Sequence, residues 1–194
     1  MKQDGKSNII QNSTVLQLAR QRRSVRRYME KPVEREKIMT CIEAARLAPS
    51  AHNVQPWRFL VIDDPEIKNK FSDKVFSGIY SVTKFAAKAP VLILQLARKD
   101  LFANTLGKQV QNIHFYFIDS GIGGEHLVLQ AAELGLGTCW IGWFDVRKAR
   151  RFFKIPKKYK IISILAMGYF EQKEIQEKKR KNLEEIVWFN HPDF

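Results

Sequence analysis

Arg22-Arg23-Ser24-Val25-Arg26 gathers three guanidinium groups and a hydroxyl within five residues. A planar guanidinium holds a pair of phosphate oxygens bidentately, and a serine hydroxyl adds a short third bond. The same cluster also suits a solvated helix end. Val15, Leu16, Leu18 and Ala19 predict a helix from about Thr14 to Arg23, and cations are favoured where a helix terminates. Taken alone, the stretch leaves a phosphate clamp and a basic helix end both open.

Two further segments weigh on that choice. The loop from Pro49 to Trp57 crowds Ser50, Asn53 and Gln55 between two prolines and beside a large aromatic. Asn and Gln each carry a donor and an acceptor, which suits the edge of a heterocycle with alternating groups. Capping of the loop's own backbone is the other use for such side chains, and it accounts for one of them more easily than for all three. The run Glu133 to Gly142 carries Gly135, Gly137 and Gly142. These glycines let a backbone approach something flat, or they simply end a helix.

The remaining chain supplies the frame. At 194 residues, 45% hydrophobic and 27% charged, it is long and apolar enough to bury one core and is not a disordered composition. Glu34 to Leu47 reads as a helix with Ile38, Ile42, Ala45 and Leu47 as its stripe, ending before Pro49. Arg58 to Asp63 reads as a strand, and Asp64-Pro65 opens a short helix. Pro90 to Ala97 is apolar enough for a strand buried on both faces. Ile118 to Leu134 is the strongest helix, and its largely apolar surface predicts a place in the core. Strands at Thr138–Phe144 and Lys160–Tyr169 flank a basic helix at Arg147–Phe153. Residues 1–13 are expected to form a flexible extension of a single domain over 14–194. Its tail from about Glu171 carries Leu183, Ile186, Val187, Trp188 and Phe189. Such a tail needs an apolar surface to cover, and a partner subunit is one candidate.

Several function classes fall away. The apolar run Ile161 to Met167 is far short of the ~20 residues a spanning helix needs. Met1 to Thr14 lacks the apolar region of an export signal, so the expected compartment is the reducing cytoplasm, and the sequon at Asn12-Ser13-Thr14 reads as chance. Cys41 and Cys139 are far apart and the four histidines scattered, so neither a disulfide nor a metal site is expected. No phosphate-binding P-loop occurs. Gly121-Ile122-Gly123-Gly124 starts like a dinucleotide fingerprint, but His126 stands where its last glycine belongs. The net charge of +13 points to an anionic partner. The basic residues are dispersed, without helix-turn-helix or zinc-finger spacing, so an anionic cofactor is expected rather than nucleic acid.

Taken in order, Arg22-Arg23-Ser24-Val25-Arg26, Ala48-Pro49-Ser50-Ala51-His52-Asn53-Val54-Gln55-Pro56-Trp57, Gly135-Leu136-Gly137-Thr138-Cys139-Trp140-Ile141-Gly142 and Lys178-Lys179-Arg180-Lys181 resemble the nitroreductase superfamily, from about Gln21 to Val187. The resemblance implies an α+β fold with a central, mostly antiparallel sheet flanked by helices, forming an intertwined homodimer with FMN at the subunit interface. It implies that Arg22, Arg23, Ser24 and Arg26 reach the flavin's phosphate, ribityl chain and pyrimidine edge. Pro49, Ser50, Ala51 and Asn53, with Gln55 beside them, would approach from the partner subunit. Gly137, Thr138, Cys139 and Trp140 would lie near the ring, and Lys178 and Arg180 on the phosphate.

The activity so implied is that of an FMN-dependent oxidoreductase. NAD(P)H delivers hydride and leaves, and a nitroaromatic, quinone or related acceptor takes its place in a ping-pong cycle. The positive charge hints at the 2′-phosphate of NADPH. No protein acid or base is required, and Arg26 is the expected cation beside the reduced, anionic flavin. Trp140 and Phe144 are candidates for pocket wall or core, and Cys139 reads as a packed thiol. Asp100 to Asn112 is where acceptor-shaping insertions are expected. Related flavoprotein chemistry, reductive dehalogenation or flavin fragmentation, stays as an alternative. A basic nucleic-acid-binding protein without cofactor is the alternative from another class.

Overall fold

The computed structural model describes residues 13–99, 113–171 and 178–192; the expected N-terminal extension and the Asp100–Asn112 segment lie outside the described residues. At the centre is a four-stranded sheet of β1 (Trp57–Ile62), β2 (Val91–Arg98), β3 (Gly137–Ile141) and β4 (Tyr159–Gly168), in the order β1-β2-β4-β3. All three pairings are antiparallel. Residues alternate between the two faces of a strand, and on β2 both sets are apolar, so both faces are covered. Leu92, Leu94 and Leu96 face one layer, Val91 and Ile93 the other.

The first layer is built from α3 (Pro65–Val75), a 3₁₀ segment (Gly78–Lys88) and α5 (Val146–Phe152). Phe71, Val75, Ala86 and Ala149 from these elements meet Leu92, Leu94, Cys139, Ile141 and Ile164 of the sheet. Asp64 and Asp145 open α3 and α5 by accepting the N–H groups of Ile67 and Lys148. The second layer is α2 (Arg35–Arg46) and α4 (Phe115–Glu133), whose Ile38, Cys41, Ala45, Leu127, Val128 and Ala131 cover Val91, Ile93, Leu165 and Met167. Each fully buried aliphatic side chain contributes ~1.5–3 kcal/mol.

Register slips between Gln95 and Leu96, which pair with Ser163 and Ile161, leaving Ile162 unmatched on β4. This bulge lets Ile161 and Ile164 share the first layer although their separation is odd. Gln95 and Ser163 then face α4, where Gln95 Nε2 donates to the Ser120 carbonyl at 2.6 Å and Ser163 Oγ donates to Gln95 Oε1 at 2.9 Å. A fully buried glutamine in the central strand is thereby satisfied on both ends of its amide.

The glycines of Gly121-Ile122-Gly123-Gly124 lie inside α4 and do not form a phosphate loop. A Cβ on Gly123 would meet Trp57 at 3.3 Å, and one on Gly124 would meet Trp140 at 2.2 Å. These two glycines admit two indoles to the helix surface. Short of the expected boundaries, α1 (Thr14–Gln21) stops before Arg23, and β3 stops before Phe144. The first helix buries no residue at all: Val15 and Leu16 are exposed, although their spacing marks an apolar face.

Candidate flavin and phosphate site

The Arg22–Arg26 stretch begins at a helix end and continues as an extended segment. Arg22 caps α1 with extended backbone (φ −55°, ψ 133°), and the chain then runs beside the outer edge of β3. Ser24 forms a parallel bridge with Thr138, and Val25 N–H donates to the Thr138 carbonyl at 2.8 Å. Val25 is buried, and its own carbonyl accepts from Tyr28 Oη at 2.8 Å. In this extended run alternate side chains diverge, so burial of Val25 turns Ser24 and Arg26 outward. The basic segment is thus sewn to Gly137 and Thr138, the third of the glycine-bearing segments.

Between them lies a cavity of about 200 Å³ lined by Arg22, Arg23, Val25, Gly135, Gly137 and Thr138, among others. It sits where α4 ends and β3 begins. Gly135 makes that turn with φ +74°, a left-handed conformation suited to glycine. At Gly137 a Cβ would fall 2.6 Å from Val25 and 2.7 Å from Phe170.

The C-terminal basic segment joins this place from the far end of the chain. Lys178 Nζ donates to the Ala19 carbonyl at 2.6 Å, which seats the tail against α1. Burial holds the Lys178 ammonium below the usual lysine range, and the positive charges of Arg22, Arg180 and Arg23 lower it further, with Glu125 opposing them. Four cations therefore share one small region, and among the described residues Glu125 faces them, 3.5 Å from Arg22 Nε. Such a cluster repels itself and is relieved by a multiply charged anion. A phosphate monoester fits both the donors and the charge.

Other expected residues are placed differently. Arg26 does not line the cavity. Its guanidinium lies 5.8 Å from the Phe85 ring centroid, and it acts electrostatically on Cys139 and Tyr28. Cys139 points into the first layer, and burial pushes its thiol up despite Arg26, so its side chain faces away from α4. Trp140 faces α4 and stacks over Gly124. Phe144 is a core residue, 2% exposed.

The Pro49–Gln55 loop does not reach the cavity within one chain. Ala51 N–H donates to Asp119 Oδ1 at 3.0 Å, near the start of α4, whereas the cavity touches Ala132 near its end. Thirteen residues of helix separate these points, about 20 Å. Within the loop Ser50 Oγ accepts from Gln55 N–H at 3.0 Å, and Gln55 Nε2 donates to Asn53 Oδ1 at 2.9 Å. Ser50, Asn53 and Gln55 thus engage one another here, the use of these side chains that the sequence left open. Asp119 and Gln95, both buried, escape a reading based on periodicity. Their signal is a polar residue inside an otherwise apolar helix and strand.

Among the described residues no group of three or more His, Cys, Asp and Glu gathers as a metal site, both cysteines are free and buried, and no helix is long and apolar enough to cross a membrane. The structure defines the class of the protein, an α+β fold with a sheet covered on both faces and a cation cluster beside an edge strand. The particular family follows from comparison: the chain matches the nitroreductase family over residues 19–83 and 82–169, and it belongs to that family. An NADH dehydrogenase of Thermus thermophilus is 30% identical over 177 residues, covering 78% of this chain and 84% of the relative. The crystal structure of a nitroreductase family protein from Clostridium difficile superposes with a TM-score of 0.76 at 33% identity, covering 90% of this chain and 97% of that one. An FMN-dependent nitroreductase from the same species gives a TM-score of 0.67 at 31% identity, covering 90% and 98%. The protein is an oxidoreductase of this family.

Proposed function

We propose that this chain is an FMN-dependent NAD(P)H oxidoreductase that reduces nitroaromatic, quinone or related acceptors by a ping-pong mechanism, acting in the cytoplasm as a homodimer with the flavin at the subunit interface. The observation that carries the reading is that Arg22 and Arg23 line the cavity at Gly137 and Thr138, with Lys178 close enough to feel their charge and that of Arg180. These residues come from both ends of the chain, and a cluster of like charges favours the binding of an anion. The fit to FMN rests on that donor set: guanidinium forks and an ammonium for the phosphate, and a narrow approach at Gly137 where a side chain would collide.

When bound, FMN supplies the N5 position that takes up and returns hydride, and the protein supplies binding, orientation and electrostatics. Arg22 and Arg23 hold the phosphate end, joined by Lys178 and Arg180. Ser24 and Arg26, turned outward from the edge of β3, face the rest of the flavin. Gly137 and Thr138 border it through their backbone, Cys139 contributes its main chain, and Trp140 walls the α4 side. The Cys139 thiol, raised by burial, stays protonated near neutrality and does not act as a nucleophile.

The homodimer is supported by two features. The Pro49, Ser50, Ala51, Asn53 and Gln55 loop is displaced along α4 from the cation cluster, which accords with a partner's loop completing the site. Apolar side chains of α1 and of the tail, Val15, Leu16, Leu183, Ile186 and Phe189, are exposed in the single chain. A partner that covers them accounts for a tail packing across the interface.

The test is a visible spectrum of the purified protein before and after anaerobic NADPH. A flavin band that bleaches, and returns on adding menadione or nitrofurazone, is the expected result. A colourless protein that rejects added FMN would overturn the proposal. Arg22→Ala should weaken FMN binding by about tenfold or more, since a charge-assisted bond is worth ~1.5–3 kcal/mol, with the far-ultraviolet dichroism unchanged.

A further inference from the structure

The loop after Pro49 carries three residues with side chains in the left-handed region within four positions: His52 (φ 49°), Asn53 (φ 54°) and Gln55 (φ 47°). Side chains other than glycine disfavour this region, and such residues persist only where their surroundings over-determine them. Clusters of them mark ligand clamps and active-site edges. Local bonds between Ser50, Asn53 and Gln55 shape the loop, but they do not say where it sits.

That is the work of Asp119. Its Oδ1 accepts the Ala51 N–H at 3.0 Å, and the residue is 2% exposed. Among the described residues its Oδ2 has no hydrogen-bond partner. Burial pushes the carboxyl up, while the Ala51 N–H draws it down. An apolar residue would pack here without that desolvation cost. The neighbouring Ser120 is fixed to the centre of the sheet, its carbonyl bonded to Gln95 and Gln95 to Ser163. A buried polar chain thus runs from β4 through β2 and α4 to the loop.

We propose that Asp119 is a positioning residue, the latch through which this chain locks the Ser50–Gln55 loop in its strained form and presents it, pre-organised, to the flavin across the subunit interface. The proposal rests on the reading of that loop as a wall of the flavin site. Pre-organisation lowers the ordering cost at binding, so the benefit falls on cofactor affinity and the cost on the folded protein.

The experiment compares the full-length wild type with Asp119→Ala, which removes the acceptor, and Asp119→Asn, which keeps one. Two quantities are read: FMN affinity by flavin fluorescence titration, and hydrogen exchange at the Ala51 amide without FMN. Asp119→Ala should weaken FMN by about tenfold or more and speed Ala51 exchange by a similar factor. Asp119→Asn should stay within about threefold of wild type on both. An Asp119→Ala protein that binds FMN as tightly as a binding-competent wild type overturns the latch, and so does an Asn variant as defective as the Ala one. If Asp119→Ala does not fold, exchange in the wild type decides, because an unprotected Ala51 amide is incompatible with the latch. A wild type that protects Ala51 yet ignores FMN would instead count against the functional reading.

Discussion

Gly137→Ala tests the join between the basic segment and the sheet. The added Cβ would lie 2.6 Å from Val25 Cγ2, 2.9 Å from Val25 Cβ and 2.7 Å from Phe170 Cδ1. Carbon atoms rest at ~3.5–4.0 Å, so both neighbours must retreat by roughly 1 Å. Phe170 is half-buried and can turn, but Val25 is buried and its N–H is bonded to Thr138 at 2.8 Å. Overpacking of this kind costs ~1–3 kcal/mol, and loss of the backbone bond adds ~1 kcal/mol. The expected destabilisation is therefore about 2–4 kcal/mol, read from urea unfolding. Displacing Val25 also moves Arg22 and Arg23, so FMN affinity should fall by at least about tenfold. Gly142→Ala, whose added Cβ meets nothing within 4 Å among the described residues, is the control and should change neither. A Gly137→Ala protein with wild-type midpoint and wild-type FMN affinity would refute the claim that Val25 clamps the segment to β3.

Three further substitutions address the second layer and one helix cap. Gly124→Ala places a Cβ 2.2 Å from Trp140 Cη2, whereas Gly121→Ala meets nothing within 4 Å. The first should be destabilised by ~1–3 kcal/mol from overpacking against a helix-propensity gain of ~1 kcal/mol, and the second should be stabilised by that gain; equal thermal midpoints would show that the indole is not seated on Gly124. Asp145→Ala removes the cap bond to Lys148 N–H at 2.9 Å and should cost ~1 kcal/mol at neutral pH. That bond is the first cause holding the Asp145 carboxyl below its usual value, so its contribution is present above the unfolded value of ~3.9 and is lost as pH falls through the depressed folded value. The gap between variant and wild type should close in acid, and a gap constant down to the lowest pH at which the protein is folded would contradict the capping role.

How much of this was legible in the chain depended on the range of the interaction concerned. The apolar run Val91–Ala97 announced a strand covered on both faces, and Asp64-Pro65 announced a helix start, because each signal is local. Arg22 to Arg26 was legible as a basic cluster but not as a strand-edge segment, since its conformation is set by Thr138, more than a hundred residues away. The left-handed backbone at His52, Asn53 and Gln55 has no glycine to announce it, and what holds it is Asp119 on another element. Gly121, Gly123 and Gly124 invited a nucleotide-loop comparison. The reason for two of them is a pair of tryptophans, Trp57 on β1 and Trp140 on β3, which no one-dimensional pattern contains.

The first helix carries a consequence of its own. Its eight residues bury none of their side chains, and isolated helices shorter than ~12–15 residues are marginal in water. Yet Arg22 is its cap, and Lys178 is anchored to its Ala19 carbonyl. The competence of the cation cluster is then multiplied by the fraction of time this turn of chain is wound, a conformational tax on the apparent dissociation constant. Mass action enters through whatever covers Val15 and Leu16: on dilution, affinity for the anion should fade while the sheet, whose strands are buried independently of this helix, stays folded.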